Sequence, residues 1–135
     1  MITELEIKTF LDALGTLGTL TIGSMPASPD VVGTIYSYGG QAPERRFGVS
    51  GIGYEKPAFQ LVFRGVAFDY TGPRGKAEIA LKALMAINPG ALGSGVTTVY
   101  HSVDPQQSIP FPVQPIDGNN RHYIGFNVYA KKEPS

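Results

Sequence analysis

Asp117-Gly-Asn-Asn-Arg-His-Tyr-Ile-Gly-Phe-Asn-Val-Tyr-Ala130 is the stretch that decides the fold of this chain. From His122 onward it alternates. His122, Ile124, Phe126, Val128 and Ala130 share one face, while Tyr123, Gly125, Asn127 and Tyr129 share the other. Period-two alternation over that length predicts a strand with one face on a core. Asp117-Gly118 followed by Asn119-Asn120 is turn chemistry, because these residues tolerate positive φ. Ahead of the turn stand Pro105, Pro110, Pro112 and Pro115. They cannot donate to a sheet ladder or continue a helix, so they predict an ordered but irregular, extended approach. A chain that spends this much sequence on placing a last strand is building a surface, and nothing in the stretch reads as a reaction centre.

Outward from that strand, Val96 to Val103 reads as a neighbouring strand. Gly72 to Ile87 reads as a helix with Ala77, Ala80, Leu81, Leu84 and Ile87 on one face; Asp69 or Thr71 can cap it, and Asn88-Pro89-Gly90 ends it. Phe59 to Val66 alternates as a strand, and Val31 to Tyr38, closed by Gly39-Gly40, is another. Leu17 to Ile22 is a short strand candidate, followed by a rigid turn, Met25-Pro-Ala-Ser-Pro-Asp30. The first helix opens at Thr3-Glu-Leu-Glu6, a capping-box pattern, with Ile7, Phe10, Leu11 and Leu14 in one stripe and Gly15 as C-cap. Between the strands at 31–38 and 59–66 lies a Gly-rich segment, 39–57, whose length points to function or flexibility. The two flanking strands can form a long-armed hairpin. The expected architecture is α+β: a mostly antiparallel mixed sheet of about four to five strands with two helices packed on it, in a single domain over residues 1–135.

Composition excludes several classes. A 42% hydrophobic and 16% charged chain of 135 residues is not mainly disordered and can bury a core. Eleven basic and eleven acidic side chains cancel, which argues against a dedicated nucleic-acid binder and favours self-association. Without cysteine there are no disulfides, thiolate metal sites or cysteine nucleophiles. No basic leader with an apolar run is visible, and no apolar stretch approaches the roughly 20 residues needed to span a bilayer.

Catalytic and cofactor signals are weak. Gly48-Val-Ser-Gly-Ile-Gly53 has Ile52 where a nucleophile elbow needs glycine, and it forms neither a dinucleotide fingerprint nor a phosphate loop. His101 and His122 have no metal-ligand spacing, and His122 falls in phase with the core residues of the last strand. Asp69, Asp104 and Asp117 each have a local task as cap or turn former. No cofactor or metal is expected. Arg45 and Arg46, in the middle of the 39–57 segment, suit a protein contact better than DNA readout, since Glu44 adjoins them. Tyr123 and Tyr129, on the face of the last strand opposite Phe126, are either contact residues or covered by a helix.

Several segments, in order, resemble the tail terminator proteins of long-tailed bacteriophages, a family also described as minor capsid or head–tail joining proteins. They are Leu20-Thr-Ile-Gly-Ser-Met-Pro-Ala-Ser-Pro-Asp-Val-Val32, Ile35-Tyr-Ser-Tyr-Gly-Gly40, Phe59-Gln-Leu-Val-Phe-Arg-Gly65 with Tyr70 and the alanine-rich helix, and Ser108-Ile-Pro-Phe-Pro-Val113 with the Asp117-x-x-x-Arg121 turn into the last strand. The long 39–57 segment and the Asn119-Asn120 expansion depart from the family pattern. The resemblance implies a non-enzymatic virion protein at the head–tail joint of a siphophage, assembled in the host cytoplasm. It implies a homo-oligomer, a hexameric ring that caps the tail tube and meets the major tail tube protein and a head completion or neck protein. DNA would pass through the lumen without specific binding, and no membrane would be involved. The expected subunit or lumen contacts are Arg45, Arg46, Tyr54, Lys56, Tyr123 and Tyr129. The alternatives are another neck or tail-completion protein of the same particle, or a small cytoplasmic enzyme using His101, Asp104 and a loop serine.

Overall fold

A computed structural model describes residues 2–45, 52–87, 90–93 and 96–133. It contains two helices, α1 (Thr3–Asp12) and α2 (Thr71–Met85). The strands are β1 (Leu20–Ile22), β2 (Val32–Ser37), β3 (Gln41–Arg45), β4 (Ile52–Lys56), β5 (Ala58–Arg64), β6 (Gly90–Gly93), β7 (Val96–Pro105), β8 (Phe111–Gln114) and β9 (Tyr123–Lys132). The α+β class is as expected, but the sheet has nine strands instead of four to five.

The alternating terminal segment is β9, and it is the spine of the sheet. Along one edge it pairs antiparallel with β5, from Tyr123↔Arg64 to Tyr129↔Ala58, and meets β4 at Lys132↔Glu55. Along its other edge it pairs with β8 near Gly125 and with β7 from Val128 to Lys132. β2 lies outside β5, β1 pairs parallel with β2, and β6 lies outside β7. Period-two alternation then does what the sequence implies. Ile124, Phe126, Val128 and Ala130 join Phe59, Leu61, Phe63 and Ile35 on the face that both helices cover. From α1 come Ile7 and Leu11, and from α2 come Ala77, Ala80, Leu81 and Leu84. Small alanines let α2 lie close to the sheet, and Phe126, fully buried, is worth about 3–5 kcal/mol against alanine.

Several local expectations are corrected. The described residues of the 39–57 segment are not an irregular loop. Gly39 and Gly40 turn the chain with φ of 77° and 85°, and β3 and β4 then pair antiparallel from Gln41↔Lys56 to Arg45↔Ile52. The long-armed hairpin therefore has its arms continued by a second ladder, with the 46–51 tip outside the described residues. Glycine is a poor loop signal here: Gly39 and Gly40 use their conformational freedom to make a bend between strands. The proline approach also contains a strand, β8, whose register breaks between Pro112 and Gln114, where proline has no N–H to give. Gly90 opens β6 and does not end a helix, while Asn88 and Pro89 lie outside the described residues.

The first helix does not use its capping-box pattern. Its N-cap is Ile2, without a side-chain cap bond. Glu6 turns inward instead, and Leu14 is exposed beyond the helix end. In α2 the N-cap is Tyr70, not Asp69 or Thr71, and it makes no side-chain cap bond; the Asp69 carboxylate, one residue earlier, accepts the Gly72 N–H at 3.0 Å. His122 sits just ahead of β9, half-buried, with its ring edge-on to Tyr70.

Candidate functional site

β1 and β2 are parallel, yet only residues 23–31 connect them. Parallel strands ordinarily need a crossover of about a dozen residues or more. The return is short here because β1 has three residues, so the chain retreats only about 10 Å. The Met25–Asp30 turn contains two prolines without N–H groups, and its carbonyls find few backbone donors. Two arginines take them. Arg64, at the end of β5 and only 3% exposed, donates from Nε to Asp30 O at 2.9 Å and from Nη2 to Pro26 O and Pro29 O at 2.7 Å each. Arg121 donates from Nη1 to Ala27 O at 3.1 Å and to the Asp30 carboxylate at 3.0 Å.

Asp117 positions Arg121. Its Oδ2 accepts the Arg121 Nε–H at 2.8 Å and the Tyr123 hydroxyl at 2.7 Å. Its Oδ1 accepts the backbone N–H groups of Asn119 and Arg121 at 2.9 and 3.0 Å. The Arg121 backbone N–H, aided by the Tyr123 hydroxyl, the guanidinium and the Asn119 N–H, holds the Asp117 carboxyl well below the usual carboxylate range. An acid so fully engaged serves as a fixed anchor and has no capacity left for proton transfer. The Asp117-x-x-x-Arg121 turn is thus a clamp on a segment about 90 residues upstream, as the separation of Arg121 from Ala27 shows. Sequence reasoning placed Asp117 and Arg121 in a turn but did not see Asp30 as the partner of Arg121, or Arg64 as a second donor to the same proline turn.

On the sheet face opposite the helices Thr34, Val62 and Arg64 are buried, and the face opens only towards the end where Ala58 pairs with Tyr129. On it Tyr38 Oη donates to Gln60 Oε1 at 3.1 Å, Gln60 Nε2 donates to Asn127 Oδ1 at 3.0 Å, and the Asn127 N–H donates to Gln107 Oε1 at 2.8 Å. This ladder floors a groove of about 440 Å³ flanked by Tyr38, Ala58, Gln106 and Tyr129. Neither helix covers Tyr129, which is 43% exposed at the groove edge.

The other expected contact residues are dispersed. Tyr123 is half-buried and tied to Asp117. Tyr54, on β4, packs edge-on to His101 with centroids 4.7 Å apart and lies 4.6 Å from the Lys131 ammonium. Lys56 lines shallow depressions beside the hairpin, with Gln41 common to both. Arg45 ends β3, and Arg46 lies outside the described residues. For the enzyme alternative, His101 Nε2 lies 3.1 Å from Glu133 and Asp104 is exposed, and Ser50 falls outside the described residues.

Comparison with known proteins gives a family match over nearly the whole chain. The sequence model of a family described as bacteriophage tail terminator protein matches residues 10–134. Curated proteins gave no match. Among four solved chains that match is one with a TM-score of 0.51 and 16% identity, covering 98% of this chain and 91% of that one; it speaks for the fold.

Proposed function

Matched over residues 10–134, the chain belongs to the bacteriophage tail terminator family and has a structural part in completing a phage tail; from that premise we propose that it is the repeating subunit of a closed ring that caps the finished tail tube and forms the joint with the head. The observation that carries this reading is the family match over nearly the full chain, on a fold whose polar sites are structural clamps. The subunit acts without catalysis. Its partners are copies of itself, the major tail tube protein and a head completion or neck protein, and it resides in the virion at the head–tail joint.

The chemistry of the chain suits this role. Zero net charge at pH 7 lets copies pack without mutual repulsion, and it lets DNA slide through a lumen without the phosphate attraction that basic surfaces exert. The β3–β4 hairpin, with Arg45 at the end of β3 and Tyr54 and Lys56 on β4, is suited to line the lumen or reach the next subunit, and Arg46 follows Arg45 in the sequence. Native mass spectrometry with negative-stain imaging tests the assembly, alone and on tail tubes: rings on tube ends are expected, and monomers that never decorate tubes would sink the reading. Replacing residues 42–55 by a two-residue Asn-Gly turn should leave a folded chain that fails to complete tails. Normal virions from that variant would remove the hairpin from the mechanism.

A further inference from the structure

Phe68 stands 75% exposed with φ of 65°, a left-handed conformation that bulky side chains avoid. The backbone imposes it. The Phe68 N–H donates to Asn120 O at 2.7 Å, and Asn120 is itself left-handed at φ 60°. The Asn120 N–H in turn donates to Asp117 O at 3.0 Å, which connects the strained residue to the arginine clamp. Strain of this kind persists where surrounding structure over-determines it, and it marks places that use it. Exposed apolar side chains come from each of the three segments joined there: Val31 beside the proline turn, Val66 and Tyr70 beside Phe68, and Ile116 ahead of Asp117. One end of the sheet, the Arg64↔Tyr123 end, thus carries a rigid apolar knob.

The groove lies at the other end of the same strands, where Ala58 pairs with Tyr129 and the Tyr38 N–H donates to Ala58 O. Six residues of β5 separate the ends, about 20 Å at roughly 3.4 Å per residue. Tyr38, 61% exposed, and Tyr129 wall the groove with aromatic rings. The Tyr38–Gln60–Asn127 ladder already engages Gln60 Oε1, Gln60 Nε2 and Asn127 Oδ1 within the floor, which lowers the cost of covering these amides with an apolar ring.

We propose that Phe68 of one copy seats in the Tyr38–Tyr129 groove of the next, so that subunits meet head to tail along β5. The inference rests on the ring reading above and supplies its interface. A second copy is the fitting occupant for two reasons. Knob and groove are different surfaces at opposite ends of one neutral chain, and that is the arrangement a heterologous, ring-closing contact requires. A preorganised aromatic anchor is also the kind of residue that dominates an interface.

The chain has no cysteine, so Phe68→Cys and Tyr38→Cys variants each carry a single thiol. The two are mixed with the Tyr38→Cys chain isotope-labelled, oxidised, and read by mass. Mixed covalent dimers in clear excess over the one-to-two-to-one statistical distribution are expected. Oligomers in native mass spectra without mixed dimers, or only Phe68→Cys self-dimers, would overturn this interface while leaving the ring standing. A chain that stays monomeric at every concentration and never decorates tail tubes, with no mixed dimers, overturns both. Phe68→Gly separates assembly from folding. Glycine relieves the left-handed strain, so the monomer should melt at an unchanged or higher temperature while self-association weakens at least about tenfold, as loss of an aromatic anchor implies. A lower melting temperature with unchanged association would assign Phe68 to folding and overturn the proposal.

Discussion

The Lys132 ammonium meets the Glu6 carboxylate at 3.2 Å, with the two side chains only 2% and 1% exposed. The Tyr100 hydroxyl donates to the same carboxylate oxygen at 3.2 Å. Burial first, and the Glu6 charge second, push the Tyr100 phenol far above its ordinary range, so it remains a donor. The pair joins the first helix to the last strand across 126 residues of sequence. It also takes Glu6 away from the capping box: its carboxylate compensates a buried ammonium that would otherwise stand unpaired.

Breaking one side of this pair should be costly, and removing both sides should not. Glu6→Leu leaves Lys132 buried and uncompensated, with an expected loss of about 3–5 kcal/mol. Glu6→Leu combined with Lys132→Met should recover most of it. Urea unfolding of the three proteins measures both, and a double variant as weak as the single would contradict the account.

Acid should act through Asp117. Its folded pKa is depressed, so below about pH 4 the unfolded chain takes up a proton there that the folded chain refuses, and stability falls as pH drops towards the folded pKa. Asp117→Asn should be less stable than the parent at pH 7 and should lack this part of the acid slope. Thermal melts from pH 7 to pH 2 should converge for the two proteins, and parallel curves would rule the mechanism out.

Arg64 should matter to the proline turn more than to the core. Arg64→Met keeps the apolar stem and removes the bonds to Pro26, Ala27, Pro29 and Asp30, at a cost of about 2–3 kcal/mol. Amide exchange should quicken in residues 20–35 and remain slow in α2 and in β9 near Phe126. Uniform quickening across the chain would argue for a different role.

Gly40 should be intolerant of a side chain. At φ 85° an added Cβ would overlap the Lys56 carbonyl and crowd Ala58 N. Gly40→Ala should destabilise by more than about 1 kcal/mol and loosen the β3–β4 ladder first. Exchange at Gln41 and Lys56 reports the loosening, and unchanged protection there would exclude the steric argument.

Much of the scaffold was legible from residue patterns. The faces of β9 and β5, the limits of α2, and the turn at Asp117 follow from periodicity and turn chemistry. One further signal was available: carried two residues past Ala130, the alternation of β9 puts Lys132 on the core face, and a charge there demands a buried partner. The β3–β4 ladder and β8 were hidden, because glycine and proline depress strand propensity while cross-strand pairing overrides it. The knob at Phe68 had no local signature, since its strained φ comes from Asn120, more than 50 residues away in the chain.

The amino-acid sequence by itself determined which residues face the core, where the chain turns, and to which family it belongs. These are local or pattern properties: side-chain alternation is set by the pleat, and turn residues by their own φ. Tertiary structure alone decided that Arg64 and Arg121 hold the proline turn, that Lys132 reaches Glu6, and that Tyr129 lines a groove at the opposite end from Phe68. Those relationships depend on strand register and on carbonyls and charges meeting through space across as many as 126 positions, and no short window of sequence carries that information.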